Sequence, residues 1–332
     1  MRGENPYLRD DSRFEDSLRP QRFQDFIGQR KCLNNLDIAI QAANKRKETL
    51  DHILFSGLPG LGKTTLARII AHEMKAPLTI TSGPVLKRPG DLAGTMTKLE
   101  EGAILFIDEI HRMLPDVEEY LYTAMEDFFI TINVDAGPQG RTINLPLKKF
   151  TLVGATTREG LLTDPFRARF GILEKLEWYP VDDLVEILFR SARILSIDLD
   201  KKSARIIAER SRGTPRIANR YLRRVRDLAE VKTKGKISEK IAREGLKMLG
   251  VDTLGLELID RKILTTLLRN PTPVGIKTLS VAVGEEEQTI EEVYEPFLIQ
   301  NDFLVRTPRG RKATEKASRH MGESCEHQES LF

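Results

Sequence analysis

The chain has 332 residues, of which 40% are hydrophobic and 30% are charged, and this composition is typical of a globular protein with two or three domains. No run of about eighteen apolar residues and no apolar amino-terminal segment occurs, which argues against a membrane span and a secretory signal. The cysteines Cys32 and Cys325 lie far apart and form no metal-binding pattern, so we expect a reducing, cytoplasmic compartment.

The first strong signal along the chain is a phosphate-binding loop. Residues 57–65, GLPGLGKTT, match the pattern G-x-x-x-x-G-K-[ST]. Residues 51–56 predict a strand before it and residues 65–72 predict a helix after it, whereas a chance glycine-rich turn would lack both. Glycines let the backbone point N–H groups at phosphate oxygens, and the helix start adds its positive dipole end. The predicted nucleotide contacts here are Gly60, Gly62, Lys63, Thr64 and Thr65.

A second element completes the predicted chemistry of a nucleotide hydrolase. In this motif Lys63 reaches the β- and γ-phosphates of ATP, and the Thr64 hydroxyl coordinates Mg²⁺. The apolar run 104–107 predicts a buried strand that ends in two carboxylates. We expect Asp108 to hold Mg²⁺ through its water shell and Glu109 to polarise the attacking water. Adjacent acids are common on surfaces, but not at the end of a buried strand downstream of a phosphate loop.

Two further candidates follow the next apolar strand, 151–155. Thr157 is placed to orient the attacking water, although an ordinary strand-end threonine is the alternative. Arg169 is a candidate arginine finger, because a guanidinium offers a planar fork that neutralises phosphoryl charge in the transition state. Surface arginines are plentiful, so this assignment depends on the order of the motifs.

The region from residue 54 to 176 predicts an α/β domain with a parallel sheet, since buried strands alternate with helices such as 117–127. Residues 130–134 and 141–145 flank the turn-rich segment 135–140, which indicates a hairpin.

The second half changes character after residue 180. Residues 181–249 carry helical periodicity only, which predicts a small all-α domain. Gly213 to Arg216 opens a helix with proline in its first turn, and Arg216 could reach back to the nucleotide.

The carboxyl-terminal part predicts a winged helix. Residues 276–284 and 288–299 indicate a helix–turn–helix, and residues 303–311 indicate a strand, a basic turn and a returning strand. Arginines crowd residues 205–226, and basic residues recur over 306–319, so we expect surfaces that meet phosphate; a solvated helix face explains any one run equally well. The net charge of +3 alone does not establish such a partner. The expected domains are a large ATPase domain at 1–179, a small helical domain at 180–250 and a winged-helix head at 253–332.

Taken together, the chain resembles the AAA+ ATPases, and more narrowly the RuvB family of bacterial Holliday junction branch-migration motors. The resemblance covers about residues 16–318. Leu58 stands where this family usually has proline, and residues 270–273 look short against the family pattern. The segments that carry the resemblance are 18–20, 26–29, 57–65, 82–84, 105–112, 124–127, 154–158, 213–220 and 306–311.

The resemblance implies an ATP- and Mg²⁺-dependent motor that forms a hexamer on double-stranded DNA. It implies that Arg169 acts on the ATP of the neighbouring subunit and that Arg216 senses nucleotide from the small domain. Further positions that match nucleotide contacts of the family are Leu18, Arg19, Asp127, Phe128, Phe129 and Tyr179.

The same resemblance implies the partners. The hairpin at about 130–145 matches the element that docks RuvA on a four-way junction, and a RuvC-type resolvase would join the assembled complex. Arg306, Arg309 and Arg311 match the DNA contacts of the head domain.

Three other classes remain open from the sequence. A clamp loader or a replication initiator would share the ATPase core, although a clamp loader should not need a terminal winged helix. A protein-remodelling ATPase usually carries an aromatic pore loop or a substrate-binding domain, and neither is evident here. A nucleotide-gated scaffold would bind without hydrolysis, against which Glu109 and Arg169 argue.

Overall fold

In the computed structural model, which describes residues 16–133 and 142–329, the chain forms two units, Met1–Tyr179 and Pro180–Phe332. Within the described ranges, no helix has the length and apolar character needed to cross a membrane.

A parallel sheet is the centre of the first unit, as the sequence predicts. Five strands pair in the order 78–82, 103–108, 150–156, 53–56 and 172–175, and every residue of 53–56 and 150–156 is buried. Strands that are covered on both faces need apolar side chains on both faces, which explains their continuous apolar runs. The strands of this unit are β1 (Ile53–Ser56), β2 (Leu78–Ser82), β3 (Ala103–Asp108), β4 (Phe129–Asn133), β5 (Thr142–Pro146), β6 (Phe150–Thr156) and β7 (Ile172–Lys175).

Helices connect these strands. The predicted helix after the phosphate loop begins at Lys63, directly after Gly62 in the left-handed conformation. The next long crossover helix begins with Pro115, whose fixed φ suits a first helical position, and ends before Phe128 at a φ of 52°. The helices of this unit are α1 (Arg30–Arg46), α2 (Lys63–Glu73), α3 (Pro89–Met96), α4 (Pro115–Asp127) and α5 (Asp164–Arg167).

Parallel pairing gives the sheet two chemically distinct ends. All carboxyl ends of the strands meet at one end, which we call the carboxyl end of the sheet, and all amino ends meet at the other, the amino end. The central strand β6 has seven residues, so the two ends lie about 20 Å apart.

The predicted hairpin is confirmed. Strands β4 and β5 pair antiparallel with each other, from Phe129 opposite Pro146 to Asn133 opposite Thr142. The turn between them, 134–141, lies outside the described residues.

The second unit begins with four helices, as expected. Their apolar residues recur at helical spacing: the first helix, Val181–Ile194, buries Leu184, Leu188 and Ala192 on one side. The prediction of an all-α region was wrong in one respect, because residues 198–199 and 236–237 pair as short parallel strands. Two-residue strands are too short to produce a periodic pattern. The elements are α6 (Val181–Ile194), β8 (Asp198–Leu199), α7 (Lys201–Arg210), α8 (Pro215–Thr233), β9 (Lys236–Ile237) and α9 (Glu239–Met248).

The rest of this unit is the predicted winged helix. The second predicted helix, 288–299, is interrupted by a π-helical turn at Ile290–Tyr294, directly before a segment with proline in its first turn. Proline lacks the N–H that a continuous helix needs. The elements are α10 (Leu258–Leu268), α11 (Ile276–Val283), α12 (Glu287–Thr289), α13 (Glu295–Gln300), β10 (Leu304–Thr307), β11 (Gly310–Ala313) and α14 (Glu315–Glu329).

Candidate active site

The phosphate loop runs from the end of β1 to the start of α2 and requires glycine at several positions. Gly57 has φ of 138°, and a Cβ there would lie 2.7 Å from the Leu176 carbonyl oxygen. Gly62 has φ of 106°, and a Cβ there would lie 3.0 Å from the Phe26 ring. A side chain at Gly57 would collide with the neighbouring backbone, and the positive φ at Gly62 would strain one there, so both positions of the loop favour glycine.

Lys63 is held inside this loop. Its Nζ donates hydrogen bonds to the carbonyl oxygens of Gly57, at 2.6 Å, and Leu58, at 2.8 Å. The residue is only 8% exposed. Leu58 contributes its backbone carbonyl, a group that proline also has, so the departure from the family pattern at this position leaves the contact intact.

Other predicted pocket residues lie in the same unit as the loop, and one of them, Tyr179, contacts it. The Tyr179 hydroxyl donates to the Leu61 carbonyl oxygen at 3.2 Å, and Tyr179 is buried. Leu18 is also buried, and Arg19 forms an ion pair with Asp16 at 3.1 Å.

The two carboxylates lie at the carboxyl end of the sheet, where Asp108 is the last residue of β3 and Glu109 follows it. Glu109 has φ of 48°, a conformation that is strained for a non-glycine residue, and such strain is concentrated at functional sites. Its N–H donates to Asp108 Oδ1 at 2.9 Å, and its own Oε2 accepts from Arg112 at 3.0 Å. A Cβ on Gly83 would overlap the Glu109 carbonyl oxygen, so glycine at this position allows the tight turn.

Thr157 lies between these groups, because β6 is the strand between β1 and β3. The Gly57 N–H donates to the Thr156 carbonyl oxygen at 3.1 Å, which ties the end of β6 to the phosphate loop. The Thr157 Oγ1 is buried and has no hydrogen-bond partner among the described residues. Since buried hydroxyls are nearly always paired, this atom is available for a bound water or ligand.

Arg169, in contrast, lies at the amino end of the sheet, between α5 and β7. It donates to the Tyr122 hydroxyl, forms an ion pair with Glu126 at 2.7 Å and stacks over the Tyr122 ring at 4.6 Å. The hydrogen bond to Tyr122 raises the pKa of Arg169. The structure therefore does not bring Arg169 and Lys63 of the same chain together.

Asp127, Phe128 and Phe129 lie at the same amino end. The Phe128 ring packs edge-on against Phe150, with 5.8 Å between the ring centroids. The His52 ring also packs against Phe150, with 5.5 Å between the ring centroids. These residues, too, are separated from the phosphate loop of their own chain by the height of the sheet.

His52 fixes this end of the sheet. Its Nδ1 accepts from the Leu152 N–H at 2.9 Å, so Nε2 carries the proton and donates to the Met125 carbonyl oxygen at 3.2 Å. Burial lowers the pKa of His52, which keeps the ring neutral.

The remaining predicted residues belong to the second unit. Arg216 is exposed in the first turn of α8. Arg306 and Arg311 face each other across β10 and β11, and both bind the fully buried carboxylate of Glu295.

The three arginines of the wing are therefore not equivalent. The Arg311 side chain is 13% exposed and also binds Glu291 at 2.7 Å, whereas the Arg306 side chain is 49% exposed. Arg309 is exposed in the turn between β10 and β11.

The residues that support the candidates were not predicted from the sequence. Tyr122 and Glu126 stand four apart on one face of α4, a spacing that is visible in the sequence. Their partner, Arg169, is more than forty positions away, so only the fold reveals the contact.

Comparisons with known proteins cover nearly the whole chain. The family model described as "Holliday junction DNA helicase RuvB P-loop domain" matches residues 18–176. The models "RuvB AAA lid domain" and "RuvB C-terminal winged helix domain" match residues 179–252 and 253–322.

Individual relatives agree with these matches. The chain is 58% identical over 310 residues to the Holliday junction branch migration complex subunit RuvB of Christiangramia forsetii, covering 93% of this chain and 90% of that protein. It is 56% identical over 311 residues to the protein of the same name from Prosthecochloris aestuarii, covering 93% and 91%. The solved structure of the Thermotoga maritima RuvB Holliday junction branch migration motor superposes with a TM-score of 0.84 at 47% identity, covering 92% of this chain and 98% of that one.

Proposed function

This chain belongs to the RuvB family of Holliday junction DNA helicases, and we propose that it couples ATP hydrolysis to movement of the branch point of four-way DNA junctions. One observation supports this mechanism most strongly: the predicted catalytic groups are divided between the two ends of a single sheet. Family membership argues against the clamp-loader, protein-remodelling and scaffold alternatives.

The carboxyl end of the sheet supplies the nucleotide pocket and the attacking water. Bound phosphates would replace the Gly57 and Leu58 carbonyls as partners of the Lys63 ammonium, because an anion is the stronger acceptor. Glu109 would polarise the water, and the Thr157 hydroxyl, which has no hydrogen-bond partner within the described residues, would orient it. The other contacts to nucleotide are assigned to Leu18, Arg19, Gly60, Gly62, Thr64, Thr65 and Tyr179.

The oxygen donors of Thr64 and Asp108 fit Mg²⁺, which prefers one or two protein ligands together with substrate phosphates. Bound there, Mg²⁺ would neutralise charge on the phosphates of ATP.

The amino end of the sheet supplies the arginine finger of a neighbouring subunit. Arg169 and the phosphate loop of one chain lie at opposite ends of a sheet whose central strand is about 20 Å long, so Arg169 would act on the nucleotide of another subunit. In a ring, the amino end of one subunit would face the carboxyl end of the next, and Asp127, Phe128 and Phe129 would border the same nucleotide. Arg216, which belongs to the unit Pro180–Phe332, would sense the bound nucleotide. A closed hexamer gives every interface one complete site.

The head domain would hold the duplex through its backbone phosphates. Arg309 is exposed at the wing turn, and Arg306 and Arg311 flank it on the paired strands. Contacts to phosphates carry no sequence information, which suits a motor that moves along any DNA.

Partners and organisation complete the proposal. The hairpin around 130–145 would bind RuvA, because among the described residues its two strands pair with each other and with no further strand, and Ile143 is 46% exposed on β5. A RuvC-type resolvase would join the assembled complex, and the DNA substrate would place the protein in the cytoplasm.

We keep the domain limits at 1–179, 180–250 and 253–332.

The proposal is tested by conversion of a synthetic four-way junction to duplex products with ATP and Mg²⁺, with and without RuvA. Glu109→Gln should abolish conversion while nucleotide binding persists. Glu101→Gln is the matched control, since this carboxylate is exposed before the amino end of the same strand. ATP turnover without any conversion, even with RuvA, would overturn the proposal.

A further inference from the structure

A buried ion pair connects the small helical region to the winged helix within the second unit. Arg212 lies in the loop between α7 and α8 and its side chain is 4% exposed; the Asp260 carboxylate, in the first turn of α10, is fully buried. The Arg212 guanidinium binds this carboxylate, and its Nε donates to the Gly255 carbonyl oxygen at 3.0 Å. It also stacks over the Phe297 ring of α13 at 4.7 Å. One side chain thus contacts three segments of the head.

The loop that presents Arg212 has little freedom to move away. Arg212 and Gly213 have consecutive positive φ values of 52° and 61°. The Thr214 hydroxyl donates to the Arg212 carbonyl oxygen at 3.0 Å. On the other side, a Cβ on Gly255 would lie 2.9 Å from the Arg210 carbonyl oxygen, so the chain of the head lies directly against this loop.

A second set of bonds joins the following helix to the same part of the head. Glu257, directly before α10, accepts from Arg220 at 2.5 Å and from the buried Tyr221 hydroxyl at 2.7 Å. Both donors belong to α8, the helix whose first turn carries Arg216. The start of α8 is therefore bonded to the start of α10 on both sides of Arg216: through Arg212 before it, and through Arg220 and Tyr221 after it.

Charge makes the Arg212 contact difficult to break. Burial raises the pKa of Asp260 to about 6, and the nearby Arg212 opposes that rise. Separation of the pair would leave the Asp260 carboxylate buried without its counter-ion. An unpaired charge costs much more free energy in the protein interior than at the surface. A displacement of the loop before Arg216 must therefore carry α10 and α13 with it.

We propose that Arg212 is a positioning residue that transmits movement of the nucleotide-sensing helix α8 to the DNA-binding head. The proposal rests on the proposed function, because it assigns Arg212 to the coupling between hydrolysis and DNA movement. Arg212 contacts neither nucleotide nor DNA in this role; it acts through Asp260 and Phe297.

The test measures junctions converted per ATP hydrolysed, a ratio that a change in stability alone does not alter. The double variant Arg212→Met/Asp260→Leu removes both charges and replaces them with apolar side chains, a change that folded proteins tolerate. We expect this variant to keep the KM for ATP and the DNA-free turnover of the wild type. We expect its junctions converted per ATP to fall at least about fivefold. Arg243→Met is the control, because Arg243 is exposed and its ion pair among the described residues is with Glu239, one turn away in the same helix.

Arg212→Lys provides a second variant that keeps the buried charge but loses the planar fork and the stacking. We expect an intermediate decrease in junctions converted per ATP. A wild-type ratio in a folded double variant, or in Arg212→Lys if the double variant does not fold, would overturn the proposal. Failure of the wild-type protein to convert junctions would instead contradict the proposed function itself.

Discussion

At the carboxyl end of the sheet, Thr157 keeps a buried hydroxyl without a hydrogen-bond partner among the described residues, and Glu109 has a strained backbone. At the amino end, His52 uses both ring nitrogens, and Arg169 is held by Tyr122 and Glu126. The carboxyl end thus has polar groups that can bind a ligand or a water molecule. At the amino end, His52 and Arg169 both have partners within the chain, and the contacts of Arg169 with Tyr122 and Glu126 hold its side chain in one position.

The winged helix repeats this contrast on a smaller scale. Glu295 is completely buried and forms an ion pair with Arg311, which is itself nearly buried. Arg309, in contrast, is exposed in the turn. An arginine that neutralises a buried carboxylate supports the fold, and an exposed arginine is available for a phosphate. Residue type alone does not distinguish the two roles.

The largest expected effect tests the amino end of the sheet. Arg169→Ala should reduce ATP turnover about 10³-fold while nucleotide binding is kept, because an arginine finger acts on the transition state. Arg167→Ala is the matched control: this arginine is two residues away and pairs with Asp164 at 2.8 Å. Steady-state ATPase assays and equilibrium binding of a fluorescent ATP analogue measure both quantities. Equal turnover in the two variants would remove Arg169 from the mechanism.

A second prediction separates the arginines of the wing. Arg311→Ala should lower the free energy of unfolding by about 3 kcal/mol, since Glu295 loses a buried counter-ion. Arg309→Ala should leave stability unchanged and reduce the salt dependence of DNA binding by about one phosphate contact. Urea unfolding and DNA titrations at several salt concentrations would show this. An unchanged stability for Arg311→Ala would contradict the structural role of that residue.

A third prediction tests the role of the Thr157 hydroxyl at the carboxyl end. Thr157→Val keeps the shape of the side chain and removes the hydroxyl, so turnover should fall about a hundredfold if that group orients the reacting water. Stability should not decrease, because no hydrogen bond within the described residues is lost. Thr157→Ser, which keeps the hydroxyl, should retain most of the activity. A loss of stability in Thr157→Val would show that the hydroxyl has a structural partner.

The smallest expected effect concerns His52. Its pKa in the folded protein is lowered from 6.5, so below that pH the unfolded state binds more protons and the free energy of unfolding falls with falling pH. Protonation of Nδ1 would also break the bond from the Leu152 N–H. His52→Gln cannot titrate and should show a weaker decrease in stability between pH 7.5 and 5.5, measured by denaturant unfolding. His72→Gln, at an exposed position, is the control; identical pH dependence in all three proteins would exclude His52 as the cause.

Much of this arrangement could be predicted from local signals in the sequence. The phosphate loop, the strand that ends at Asp108 and the hairpin strands each have a pattern within about fifteen residues, and the structure confirms all three elements. The strand pair β8–β9 could not be predicted, because two residues make no periodic pattern.

The supporting contacts could not be predicted because they join distant positions. Nothing near Arg169 in the sequence indicates Tyr122, and nothing near Arg212 indicates Asp260. The separation of Arg169 from Lys63 likewise follows from the parallel pairing of the strands, which places the start of β7 and the end of β1 at opposite ends of the sheet.

The central claim is that a complete site needs the carboxyl end of one subunit and the amino end of another, and mixing two inactive variants tests it most directly. Glu109→Gln has an intact amino end, and Arg169→Ala has an intact carboxyl end. If the account holds, an equal mixture regains ATP turnover, because about a quarter of the interfaces in randomly mixed rings carry both intact residues. A mixture as inactive as either variant alone, under conditions where the subunits are shown to assemble together, would contradict the account.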